Sequence, residues 1–184
     1  MDQSEGVPPA STRAPAGDVD LVKAAQAGDR EAFGVLYERY GRTIHGVLLA
    51  RVPFDAVDDL VQDVFLVALE RLHTLRNVSA FGGWLAAIAR HRSVDYHRRA
   101  PAEVGAPEQP VPDHHAAAEA LAVLAVIRTL PEAYRETLTL RLVEGMTGPE
   151  IAERTGLTPG SVRVNLHRGM KQLREKLDRR RDTT

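Results

Sequence analysis

Between Ala100 and Pro112 the chain reads Ala-Pro-Ala-Glu-Val-Gly-Ala-Pro-Glu-Gln-Pro-Val-Pro, with prolines at 101, 107, 110 and 112 and a glycine at 105. Each proline removes a backbone donor and fixes φ, so neither a helix nor a central strand can run through this stretch. Apolar residues recur with three-four spacing on both sides of it, and no strand-like alternation or hairpin signal interrupts them. The fold class is therefore all-α: two small helical domains, residues 18–99 and 118–180, joined by a flexible Pro-rich acidic linker at 100–117. Residues 1–17, rich in Pro, Ala and Gly, are expected to form a disordered N-terminal tail.

Composition narrows the function classes. The chain has 184 residues, 43% of them hydrophobic, so it can bury a core. It contains no cysteine, which excludes a disulfide framework, a thiolate metal cage and a thiol nucleophile. No cofactor or metal site is expected. The N-terminal segment lacks the apolar run of a signal peptide, and no stretch reaches the length of a membrane span, so a cytoplasmic protein without membrane insertion is expected. The net charge of −1 hides a gradient. Arg163, Arg168, Lys171, Arg174, Lys176, Arg179, Arg180 and Arg181 crowd the C-terminal end, whereas Ala100 to Glu119 holds acids but no Lys or Arg. Such asymmetry suits an end that meets a polyanion, or simply a solvated basic helix end.

In the first half the spacing predicts a short helix over about 20–27 ended by Gly28, then one capped by Asp29. In the latter, Phe33, Leu36, Tyr37, Tyr40, Ile44 and Leu48 form the buried stripe. Pro53 breaks it and opens a third helix, about 54–72, and a fourth covers about 80–99. The second half reads as helices over about 119–130, 131–143, 147–154 and 159–177.

The last two of these form the sharpest local pattern. Thr147 and Glu150 make a capping box, Gly156 supplies a positive φ, Leu157 plugs the gap, and Thr158 caps a helix whose first residue is Pro159. Val162, Leu166, Met170 and Leu173 would face inward. Ser161, Arg163, Val164, Asn165, His167, Arg168 and Lys171 are left outward or at the helix start. This is a helix-turn-helix whose outer face suits the major groove, because Arg can pair with guanine and Asn with adenine. The plainer reading is a three-helix packing unit with a solvated basic face.

On the helix after Pro53, a turn of about 100° per residue gathers Asp55, Asp59, Gln62, Asp63 and Glu70 on one face, with Asp58 at its edge. Phe54, Val57, Val61, Val64, Phe65, Ala68 and Leu72 lie opposite as core. Leu66 falls in the middle of the acidic face. An apolar anchor ringed by carboxylates suits docking on a basic partner helix; a solvated face with one stray leucine fits equally well.

Taken together, Asp55-Ala56-Val57-Asp58-Asp59-Leu60-Val61-Gln62-Asp63-Val64-Phe65-Leu66, then Phe81-Gly82-Gly83-Trp84-Leu85-Ala86-Ala87-Ile88-Ala89-Arg90, then the helix-turn-helix, make an ordered set. In it the sequence resembles a bacterial RNA polymerase sigma factor of the extracytoplasmic-function (ECF) group. The likeness covers about residues 18–99 and 116–180. It implies a factor, not an enzyme, that binds core RNA polymerase and directs initiation at promoters. The first domain would engage the β′ clamp helices and open the minus-ten element, and the second would read the minus-thirty-five element and dock on the β flap.

Position by position, the resemblance places clamp docking on Asp59, Gln62, Asp63 and Leu66. It places capture of an extruded minus-ten base on the loop from His73 to Ala80, where His73, Arg76, Asn77 and Ser79 offer polar contacts. Extruding a base costs a few kcal/mol, which stacking and edge hydrogen bonds must return. Arg90, Ser93, His97 and Arg98 become candidates for upstream duplex contacts, and Thr158, Ser161, Arg163, Val164, Asn165, His167, Arg168 and Lys171 for the minus-thirty-five element. Trp84 aligns as core. The resemblance also implies an anti-sigma partner covering the exposed faces of two tethered domains, and a linker threaded near the RNA path. Gly82 departs from the family, which usually has a bulkier or basic residue there, as do His91 and the Val164-Asn165 pair. The promoter sequence therefore does not carry over. A stand-alone helix-turn-helix regulator is the alternative, and the first half argues against it by lacking receiver strands or a ligand pocket.

Overall fold

Eight helices and three short 3-10 turns make up the described part of the computed structural model, which covers residues 17–99 and 115–181. The expected tail and most of the expected linker lie outside the described residues. Among those described there is no strand.

The N-terminal half is organised by α2 (Arg30–Leu49), which packs against α1 (Asp18–Gln26), α3 (Val57–Arg71) and α4 (Phe81–Arg99). Its start is fixed as the sequence predicts: the Asp29 side chain accepts from the backbone N–H groups of Glu31 and Ala32. Gly28, at φ 98°, makes the turn from α1. Leu36, Tyr40, Ile44 and Leu48 of the predicted stripe are buried, whereas Tyr37 stays 41% exposed and covers Phe65 from outside, ring centroids 4.4 Å apart. The preceding helix ends at Leu49, short of Pro53, and after the proline Phe54–Ala56 forms a 3-10 turn, so α3 begins only at Val57. Phe54, predicted as core, is 49% exposed for that reason: the tighter turn rotates it out of register with Val57, Val61, Val64 and Phe65.

In the C-terminal half, α5 (His115–Arg128), α6 (Glu132–Leu142), α7 (Gly148–Thr155) and α8 (Pro159–Arg181) follow the predicted order with ends displaced by a few residues. The Thr147–Glu150 capping box is present in both directions, and Gly156 ends α7 at φ 73°. Ser161 N–H donates to Thr158 Oγ1 at 3.1 Å, which caps α8. Val126, Ile127, Leu130, Leu138 and Leu173 form a core belonging to this half alone.

The two halves do not stand apart. α7 packs on α4 and on α2, and α6 packs on α2. Leu140, Met146, Ile151, Ala152 and Val162 join the same apolar core as Leu36, Ile44, Phe81 and Leu85. The sequence predicts tethered domains with exposed faces; in the structure they cover one another along a seam. That seam was invisible in the sequence because it joins residues about 50 to 115 positions apart through side chains of mixed polarity.

Candidate functional site

The acidic face of α3 has the geometry the periodicity predicts. Val57, Val61, Val64, Phe65 and Ala68 are buried, which leaves Asp58, Asp59 and Gln62 in solvent. Leu66 is 61% exposed, the most open of the large apolar side chains among the described residues, and Leu69 beside it is also exposed. Asp63 sits at the margin, where Arg92 Nε of α4 reaches its Oδ2 at 3.1 Å. A leucine held open on a rigid helix among carboxylates can seat an apolar-and-basic partner surface.

The loop after α3 is held from behind. Gln26 donates through Nε2 to the carbonyls of Leu72 and Leu75, at 2.9 and 2.8 Å, and Leu75 itself is buried. These bonds leave His73, Arg76, Asn77 and Ser79 on the outside. The Asn77 carboxamide oxygen accepts from Ser79 N–H at 3.2 Å, capping the turn Val78–Ala80 that leads into α4. Its NH₂ group is the part left to meet a ligand.

On α4 the expected face is divided: Arg90 and Ser93 turn inward, whereas His97 and Arg98 stay exposed. Arg90 donates from Nη2 to Glu136 Oε1 at 2.7 Å and from Nε to Oε2 at 3.1 Å, a two-point grip on a carboxylate of α6. Ser93 is 2% exposed and its hydroxyl donates to the Arg90 carbonyl, so it offers DNA no polar atom in this arrangement. His97 Nε2 donates to the Arg51 carbonyl at 2.8 Å, while Arg98 remains exposed at the end of the helix. Trp84 is half-buried against the core beside Phe81, ring centroids 6.0 Å apart, as its alignment implies.

The outer face of α8 matches its prediction closely. Arg163, Val164, His167, Arg168 and Lys171 are exposed and fall within an arc of about 140°. Thr158 and Ser161 sit at the exposed N-terminus and Asn165 at the rim of the arc. Val162 and Leu173 are buried and Leu166 and Met170 half-buried beneath them.

The residues missed by sequence reasoning are those of the seam. Glu136 is 4% exposed and binds Arg51 Nη2 at 2.6 Å as well as Arg90. Burial alone would lift its pKa, but the two guanidiniums outweigh that and hold it below the usual carboxylate range. Glu144, also buried, accepts from His45 Nδ1 at 2.7 Å and from Arg42 Nε at 3.4 Å. Arg128 donates to the carbonyls of Leu49 and Val52, and Arg154 to that of Arg39 while lying over the Tyr40 ring. Tyr40 donates its hydroxyl to Asp18 at 2.6 Å, and burial first, then that carboxylate, raises its pKa. One signal was present: Glu136 stands one helical turn from Leu140, which puts a carboxylate on a stripe of α6 that a globular helix normally keeps apolar.

Residues 36–102 match the family model for sigma-70 region 2, and residues 120–173 the model for sigma-70 region 4. The ECF RNA polymerase sigma-E factor of Haemophilus influenzae is 31% identical over 87% of this chain and 95% of its own length. The ECF RNA polymerase sigma factor BldN of Streptomyces coelicolor is 32% identical over 88% of this chain and 68% of its own. The solved structure of CnrH in complex with the cytosolic domain of CnrY superposes with a TM-score of 0.63 at 28% identity, covering 88% of this chain and 97% of that one. Both halves are thus matched in order, and the chain belongs to the ECF RNA polymerase sigma factors, which direct promoter-specific transcription initiation.

Proposed function

We propose that α3 is the surface by which this sigma factor holds core polymerase, with Leu66 as anchor and Asp59, Gln62 and Asp63 around it, seated on the β′ clamp helices. The single observation that carries this is a 61% exposed leucine within a carboxylate face on a helix whose other apolar residues are buried. The loop His73–Ser79 receives one unpaired minus-ten base, with Asn77 offering hydrogen bonds to its edge and Arg76 a phosphate or stacking contact. Arg90, His97 and Arg98 lie upstream along α4 for duplex phosphates. The α8 face reads the minus-thirty-five element: Arg163 near the helix N-terminus reaches a base edge, Val164 offers its methyls to thymine, and Arg168 and Lys171 hold bases or backbone. The C-terminal half also docks on the β flap, and an anti-sigma protein competes for the exposed faces. The latter reading is supported by the similar structure of CnrH in complex with the cytosolic domain of CnrY.

Run-off transcription with purified core polymerase over a promoter library tests this reading. The wild-type chain is expected to give promoter-specific starts, and Asn77→Ala to change the preferred minus-ten base or slow opening while leaving minus-thirty-five preference intact. Identical minus-ten preferences for the two proteins would exclude base reading by Asn77.

A further inference from the structure

The loop after α3 takes its anchor from α1. Gln26 is the last residue of α1, two positions before the turn at Gly28. Leu21, Val22 and Ala25 of the same helix are buried, and with Leu72 and Leu75 they belong to the N-terminal core. Gln26 follows Val22 by one helical turn, so its half-buried side chain lies on the side of α1 that meets the exit of α3. Its Nε2 gives one N–H to the Leu72 carbonyl at 2.9 Å and the other to the Leu75 carbonyl at 2.8 Å. Both neighbours are acceptors, so only the NH₂ end of the amide can face them.

Among the described residues, the other hydrogen bonds of the loop are local. Leu75 N–H reaches the Leu72 carbonyl, the Thr74 hydroxyl the Arg71 carbonyl, Ser79 N–H the Asn77 side chain, and Ala80 N–H the Asn77 carbonyl. Such bonds shape each turn without fixing where the loop stands against the helices. The burial of Leu72 and Leu75 is non-directional. The two bonds from Gln26 are directional, and they hold carbonyls on either side of His73 and Thr74. They therefore set the course on which the backbone leaves Leu75 for Arg76 and Asn77. A loop already held in place loses less conformational entropy when a base enters it.

We propose that Gln26 is a positioning residue for promoter opening: its carboxamide ties the Leu72 and Leu75 carbonyls to α1 and so holds Arg76 and Asn77 where an unpaired minus-ten base arrives. This rests on the reading of that loop as the receptor for the base. Gln26 acts through the backbone of the loop. Duplex recognition by α8 does not use the loop, whereas capture of a base competes with its pairing and stacking and needs the loop in place. The signature is slow opening and relaxed minus-ten preference at unchanged minus-thirty-five binding.

Two substitutions test it. Gln26→Met removes both donors at similar length and helix propensity, and Gln26→Lys keeps donors at the site. In the free full-length chain, amide hydrogen exchange over residues 73–79 should rise about tenfold in Gln26→Met and stay near wild type in Gln26→Lys. With core polymerase, Gln26→Met should open a promoter about tenfold more slowly and discriminate less at one minus-ten position, while Gln26→Lys recovers most of the rate. Affinity for duplex minus-thirty-five DNA should not change. Added to Asn77→Ala, Gln26→Met should slow opening less than it slows the wild type, because both act on one loop. Unchanged exchange in Gln26→Met would overturn the proposal, and so would a rise spread over the whole chain, which would make Gln26 a residue of general stability. Equal defects in Gln26→Met and Gln26→Lys would also overturn it, by assigning the effect to packing. Raised loop exchange in Gln26→Met beside wild-type minus-ten preference in Asn77→Ala would instead strike the base reading on which the role rests, since exchange is measured without DNA.

Discussion

On α3 the face built of Asp59, Gln62 and Leu66 stands open to solvent, whereas on α4 the face that carries Arg90 and Ser93 is closed over by the C-terminal half. Both belong to one four-helix unit and both come from regular helices, so local structure does not separate them. The difference lies in what each offers a neighbour. The α3 face presents carboxylates and one leucine, and the seam residues it would have to meet include Glu136 of α6 and Glu144 just beyond that helix, which would repel it. The α4 face presents a guanidinium and a pair of glycines, which a buried carboxylate and a glycine turn can match. The comparison teaches that a face closes only where a neighbour can match its chemistry: the α3 face stays open and the Arg90 side of α4 is covered.

Breaking the open side has the largest expected effect. Leu66→Arg puts a cation against a basic partner helix and removes the anchor. It should cost about 3 kcal/mol or more of core-polymerase binding, roughly two orders of magnitude in affinity. Because Leu66 faces solvent, the melting temperature and the distance between the halves should not move. Polymerase affinity equal to wild type would remove the docking role from α3.

Next comes α8, which is open like α3 and which we propose meets DNA. Arg163→Ala should cost about 1–3 kcal/mol at one promoter position and relax preference there. Binding across promoter variants at two salt concentrations separates base reading from phosphate contact. A uniform loss over all variants, with the salt slope lowered by about one unit, would leave Arg163 as a positioning residue.

At the seam, Gly156→Ala combines two penalties. The residue has φ 73°, and the new Cβ would lie 2.9 Å from the Gly83 Cα. The left-handed conformation alone should lower stability by about 1–2 kcal/mol, measured by denaturant unfolding. A double substitution with Gly83→Leu should be less than additive, because once the seam is wedged open only the backbone penalty remains.

The smallest expected effect is that of pH, through His45. Its bond to Glu144 raises its pKa from 6.5 and partial burial opposes this; Asp58 adds to the rise, and Arg42 shares Glu144. Opening releases the bond, so the closed form binds the proton more tightly than the open one. Its contribution to closure is complete below about pH 6.5 and fades as pH rises through the raised value of the closed form. Energy transfer between dyes on the two halves should therefore decline as pH rises above about 6.5, and His45→Gln should flatten that decline. A decline of equal size in the variant would assign it to another group.

Much of the fold was legible because it is set locally. Asp29, the Thr147–Glu150 box, Gly156 and Thr158-Pro159 mark helix ends by their own hydrogen bonds and φ values, and the stripe on α8 shows which of its residues face out. Leu66 was legible for the same reason: an apolar residue on the wrong face is visible from period alone. Phe54 was misjudged because a 3-10 turn shifts its phase, and no single residue announces that turn. The seam escaped because ion pairs such as Arg90 with Glu136 join elements 46 positions apart, and a charged residue on a helix is ordinarily read as solvated. Ser93 shows the same limit: its spacing puts it with Arg90, and only packing decides that the shared side is covered.

The shared core has a thermal corollary. Leu140, Met146, Ile151, Ala152 and Val162 pack into the N-terminal core, while Val126, Ile127, Leu130, Leu138 and Leu173 keep a core of their own. Separation of the halves therefore exposes apolar surface without dismantling the C-terminal half, and such exposure raises the heat capacity. Apolar association weakens on cooling, so the balance between joined and separated halves shifts with temperature through its own hydration, with no ligand involved. Cooling would therefore loosen the join between the halves before it loosens either core.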